Sequence, residues 1–154
     1  NATNGSWGAA TPDEMAADVN EALTDVYTGT KETHLANALL LPTSKFLKAS
    51  TTRMTDTGGS VLTYLQANNA YTAITGQPLS IMPSRELETA GALGTARMVA
   101  YAKDPDVLEF FLPGMFTFLA PFATSSMTWR VDGTANVGQT EIYRPKGVSY
   151  RDGI

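Results

Sequence analysis

The spacing of apolar positions changes along the chain. Thr11-Pro12-Asp13-Glu14 has the form of a capping box with proline at the first helical position, and Met15, Val19, Ala22, Leu23 and Val26 then recur at helical spacing. The pattern predicts a helix from about 12 to 27, ended by Gly29. "ANALLL" is a short apolar run stopped by Pro42, which suits a buried strand. Pro42 opens a second, short helix, "PTSKFLKAS". After the breaker "TDTGG", Ser60 caps a third that carries Val61, Leu62 and Leu65.

From Gln77 onward the period falls to that of strands. Leu79 and Ile81 alternate with polar neighbours, and after a loop "ARMVAYA" and "VLEFFL" flank Lys103-Asp104-Pro105-Asp106, so a hairpin is expected there. Met127, Trp129 and Val131 alternate with Thr128 and Arg130. Asp132-Gly133 supplies a tight turn and "VGQTEIYRP" returns, which predicts a second hairpin. No repeat at the roughly 20 to 50 residue period of solenoids and propellers is present, and no low-complexity tract. The fold class read from this pattern is α+β, with helices in the first half and antiparallel strands in the second.

Composition narrows the functions open to such a chain. Its 154 residues suit one domain, which at that size buries roughly 70% of its unfolded surface, so a core is possible without metal or disulfide staples. Hydrophobic residues make up 43% and charged residues 17%, and no apolar run approaches the ~20 residues of a membrane-spanning helix, so no membrane partner is expected. A net charge of -4 and a pI near 4.9 argue against a surface that neutralises phosphates, hence against a specific nucleic-acid site. With no cysteine, thiol catalysis and Cys-ligated zinc are excluded. "NATNGSWGAA" lacks an initiator Met and the layout of a signal peptide, and reads as a cut end of a longer protein. Residues 1–10 are therefore expected to be a disordered or cloning-derived segment. Asn1-Ala2-Thr3 and Asn4-Gly5-Ser6 match the glycosylation acceptor pattern, which matters only in a secreted eukaryotic product.

Candidate chemistry is sparse. Asp56-Thr57-Gly58 matches the aspartic-protease tripeptide, but those enzymes place it after an apolar strand, whereas "TTRMT" precedes it here and helix-like "SVLTYLQ" follows; a turn is the better reading. His34 is the one histidine and has no evident partners for a zinc site or a Ser/His pair, so it reads as a loop or surface residue. Gly91-Ala92-Leu93-Gly94 lacks the lysine and helix of a phosphate loop. Glu14, Asp18, Glu21 and Asp25, spaced by four, three and four, lie on one stripe of the first helix. Like charges at that spacing repel, and the helix dipole favours only the first turn, which leaves Glu21 and Asp25 unsupported. The stripe is either a solvated face or the counterpart of a basic surface on another subunit; metal binding is a third, weaker reading, since oxygen cages usually come from loops. No catalytic, cofactor-binding or metal residue is assigned, and no cofactor is expected.

The order of these features resembles a known family. A helix, an apolar strand running into Pro42 ("ALLLPTSKFLKAS"), "TGQPLSIMPSRELETAG", "RMVAYAKDPDVLEFFLP" and a closing "EIYRPKGVSYRDGI" look like the second half of a tailed-phage major capsid protein, the HK97 fold, with Gly76-Gln77-Pro78 and Arg144-Pro145 in matching places. The likeness is greatest to prophage-encoded capsid-like proteins and covers residues 11 to 154. It implies one capsid-like α+β domain, an A domain with part of the P domain, and a structural protein without enzymatic activity. Subunits would associate with one another as hexamers and pentamers in an icosahedral shell around double-stranded DNA, with scaffold and portal proteins as further partners. The virion would be its location and the bacterial cytoplasm its place of production. The family's N-terminal arm and extended loop are not visible before Thr11, and no crosslinking residues align. An encapsulin-like nanocompartment shares the fold, and a small-ligand or enzymatic α+β domain would instead require a deep polar pocket. Met115, Phe116, Phe118 and Leu119 would supply core or subunit contacts, and exposure of Phe116 or Phe118 would point to a neighbour.

Overall fold

The structure is a computed structural model that describes residues 5–55 and 57–154. These form two compact units, one running to Lys103 and resuming at Arg144–Ile154, the other comprising Asp104–Tyr143.

The first unit begins with α1, Pro12–Gly29, whose capping box is complete: Thr11 Oγ1 accepts from the Glu14 N–H at 3.3 Å, and the Glu14 carboxylate accepts from the Thr11 N–H at 2.7 Å. Strand β1, Ala38–Pro42, leads into α2, Thr43–Thr51. Proline at the N-cap leaves α2 without a side-chain cap of its own. The Glu88 carboxylate takes that role, accepting from the Ser44 N–H at 2.7 Å and the Ser44 hydroxyl at 2.8 Å, and these bonds lower its pKa. Helix α3, Val61–Ala67, is capped by Ser60 as expected. A further short helix, α4, Ala70–Thr75, is capped by Asn69 and closed by Gly76 in the left-handed conformation at φ 71. Strand β2, Ser80–Ser84, and β3, Arg97–Tyr101, follow. Six short strands come next: β4 Leu108–Phe110, β5 Gly114–Phe118, β6 Phe122–Ser125, β7 Thr128–Arg130, β8 Gly133–Asn136 and β9 Thr140–Ile142, before β10 at Val148–Asp152.

One four-stranded sheet, in the order β10-β3-β1-β2, forms the floor of the first unit. β1 and β2 are parallel, a pairing that needs a long crossover, and α2, α3 and α4 supply it. The other two pairings are antiparallel. Register sets the core: Leu39 lies beside Ile81 and Ala100, all three buried, so their side chains share the face that packs with Met15, Val19 and Leu23 of α1. Trp7 is fully buried in this core and donates its indole N–H to the Asp18 carboxylate at 3.0 Å. This corrects the placement of residues 5–10 outside the fold, because the driving force for burying an indole exceeds any local preference of the Gly-rich segment around it.

The second unit corrects both expected hairpins. β3 is flanked by β1 and β10, so neither of its edges is open to "VLEFFL". β4 pairs instead with β9, β5 with β8 and β6 with β7, all antiparallel. The pairings are nested and describe one long ribbon folding back between Ser125 and Thr128. Asp132-Gly133 is not its turn. The ladder continues past it, with the Leu119 N–H donating to Asp132 O at 2.8 Å. Gly133 instead lies against an aromatic ring: a Cβ there would stand 2.5 Å from Phe116 Cζ, so the ring occupies the space a side chain would take. Lys103-Asp104-Pro105-Asp106 is a turn, but one that leads out of β3 into the ribbon.

Candidate assembly surface

The ribbon concentrates apolar surface where little covers it. In Asp104–Tyr143 Val107 is buried, while Phe116 is 59%, Phe118 71%, Trp129 67% and Met127 93% exposed. Phe116 and Phe118 stack edge to face with centroids 4.9 Å apart, which orders both rings without hiding them. Cross-strand register puts apolar groups on both faces, since Ala123 is paired with Trp129 while their neighbours Phe122 and Arg130 point the other way. A two-stranded ribbon is marginal in water on its own, and large apolar side chains exposed at this density mark an interaction surface.

At the base of the ribbon the two faces differ. Leu108 lies opposite Ile142 on one face, and Glu109 lies opposite Glu141 on the other. Like charges directly across an antiparallel pair are unfavourable. The Tyr143 hydroxyl donates to Glu109 at 3.3 Å, and its pKa is raised, first by desolvation and then by both carboxylates.

The first unit accounts for the acidic stripe within the chain. Glu14 belongs to the capping box and Asp18 accepts from Trp7. The Arg151 guanidinium, on the α1-facing side of β10 in register with Met98, lies 3.4 Å from Glu21 and 2.5 Å from Asp25. Of the readings left open for the stripe, the one that sought a basic counterpart on another subunit is met within this chain, by Arg151 of β10. Spacing could place the carboxylates on one stripe, but nothing local in the sequence pairs residue 25 with residue 151.

His34 sits in the connection after α1, partly buried, its Nε2 closed off from solvent and without a hydrogen-bond partner. It lines a 270 Å³ depression with Gly29, Thr30, Lys31, Arg144, Pro145 and Lys146. Among the described residues no group of His, Asp and Glu is arranged to hold a metal ion. Asp56 of the protease-like tripeptide lies outside the described residues, and Gly58 of that tripeptide has φ 68, in the left-handed region typical of turns. Asn1 and Asn4 of the two glycosylation patterns also lie outside them. Gly91-Ala92-Leu93-Gly94 is held by the Asp152 carboxylate, which accepts from the Ala92 N–H at 3.0 Å.

The chain matches the family profile described as major capsid protein over residues 1–154. No curated protein matches it. Among solved structures it is similar to the capsid of Myoviridae phage XM1, with a TM-score of 0.79 and 15% identity over 97% of this chain and 49% of that one. It is also similar to a virus-like particle from Pyrococcus furiosus, with a TM-score of 0.57 and 14% identity over 91% of this chain and 51% of that one. The chain spans about half the length of each, and at these identities the likeness is one of fold.

Proposed function

The chain belongs to the major capsid protein family, and from that premise we propose that it is part of the shell subunit of a tailed phage or prophage, one that self-assembles through hexamers and pentamers into an icosahedral shell around double-stranded DNA. The observation that carries this reading is the ribbon Asp104–Tyr143, whose exposed Phe116, Phe118 and Trp129 have no cover within their own unit. Copies of the same protein supply that cover in a shell. The role is structural rather than enzymatic, the virion is its location and the bacterial cytoplasm its place of production, and scaffold and portal proteins are its further partners. The acidic balance of the chain fits a container that holds DNA without gripping it.

A second reading, a protein shell that encloses cargo other than DNA, draws on the similarity to the Pyrococcus furiosus particle. One experiment addresses both. The full-length gene product is expressed with and without Phe116→Ser and Phe118→Ser, and sedimentation is combined with nuclease protection. Burying one such side chain contributes about 1.5–3 kcal/mol, so each substitution is expected to raise the concentration at which fast-sedimenting particles form by about tenfold or more. Nuclease-protected DNA in particles from the phage-producing host supports the viral container, and particles free of nucleic acid support the cargo shell. Particle formation unaffected by either substitution would contradict the role given to the ribbon.

A further inference from the structure

The depression at the C-terminal end of α1 is strongly basic in a chain whose net charge is -4. Lys31, Arg144 and Lys146 line it together with His34, and no carboxylate does. Among the described residues none of these three cations takes part in an ion pair, whereas Arg97, Arg130 and Arg151 all do. Lys31 and Glu32 are held one after the other in left-handed backbone, at φ 55 and 63, a strained arrangement that persists only where surrounding structure fixes it. The feature is therefore a shaped group of cations without a counter-charge.

The ribbon carries the converse feature. Glu109 and Glu141 are held directly opposite each other by the β4–β9 register, and neither has a cation partner among the described residues. Their side chains leave the strands roughly 5 Å apart, close enough for both to enter one site. Their mutual repulsion is relieved wherever two or more cations meet them together.

We propose that the basic depression formed by Lys31, His34, Arg144 and Lys146 receives the Glu109–Glu141 pair from the ribbon of a second copy of this chain. The inference rests on the shell reading and names the electrostatic address by which one copy's ribbon finds the next. Complementary charge of this kind sets register and suppresses wrong pairings, while the ribbon's aromatic groups contribute the buried area.

Glu109→Cys with Lys31→Cys tests it in the full-length product, with any cysteine outside these 154 residues replaced by serine; these residues contain none, and the two positions lie far apart in sequence. After assembly and mild oxidation, a ladder of covalently joined copies is expected on a non-reducing gel, and neither single-cysteine protein should give it. Intact shells that yield no ladder, or links confined to one copy, would overturn the proposal while leaving the shell reading in place; failure of the unsubstituted protein to form shells would remove both. Charge reversal is the second arm. Lys31→Glu with Lys146→Glu is expected to lower shell yield by about tenfold or more, the scale of losing a partner from a desolvated charge pair, and adding Glu109→Lys with Glu141→Lys to restore it. A reversed depression that keeps full yield, in a protein whose unsubstituted form takes up inorganic phosphate there, would assign the site to a free anion instead.

Discussion

Asp152 ties three parts of the first unit together at the scale of single atoms. Its carboxylate accepts two bonds from the Arg97 guanidinium, at 2.5 and 2.9 Å, and one from the Ala92 N–H. The bonds from Arg97 are the main reason its pKa falls from the ordinary 3.8 to about 2. A carboxylate whose pKa is depressed on folding stabilises the folded state fully above its unfolded value, and that contribution is lost as pH falls through the folded value. Stability should therefore decline as pH drops from 3.8 toward about 2, and Asp152→Asn should be less stable at neutral pH but lose less over that window. Urea unfolding of both proteins at a series of acid pH values checks this, and parallel acid limbs would refute it. Pairs of this kind were not legible in the sequence. Arg97 and Asp152 are 55 positions apart, as Trp7 and Asp18 are separated by a helix start, and only the β3–β10 register and the packed core bring the partners together.

Elements were legible where local chemistry decided them. The capping box at Thr11 and the serine before α3 mark boundaries by hydrogen bonds that each segment makes within itself, and Pro42 marks the start of α2 by its fixed φ. Helix α4 escaped because six residues, fewer than two turns, are too short to show a period. Pairing of strands escaped because a strand's alternation states which face is buried and not which edge is met. The turn chemistry of Asp132-Gly133 suggested a hairpin, while the glycine answers to Phe116. Another glycine sets the base of the ribbon. The Phe111 N–H donates to Gln139 O and the Gly138 N–H donates to Phe111 O, both at 3.1 Å, and a Cβ at Gly138 would collide with that same Phe111 carbonyl. Gly138→Ala is expected to break this pair of bonds, raising amide exchange at Phe111 and Gly138 while leaving β3 and β10 protected. Unchanged exchange at both amides would show that the backbone there accommodates a side chain.

At the scale of the molecule, apolar sequence falls into two classes that composition alone does not separate. Leu39, Leu41 and Met98 are buried in the first unit's own core, whereas Phe116, Phe118 and Trp129 remain exposed on the ribbon. Both classes look like strands in the sequence; the first belongs to a four-stranded sheet packed in a core, the second to two-stranded pairings. The chain belongs to the major capsid protein family, and the exposed apolar surface of the ribbon is what stands out among its described residues. Assembly is what that surface implies, and electron microscopy of the purified full-length gene product tests it most directly. Closed shells of uniform size are expected, with the ribbon density of each subunit lying against a neighbour. Dispersed monomers at high protein concentration, or shells in which Phe116 and Phe118 face open solvent, would contradict it.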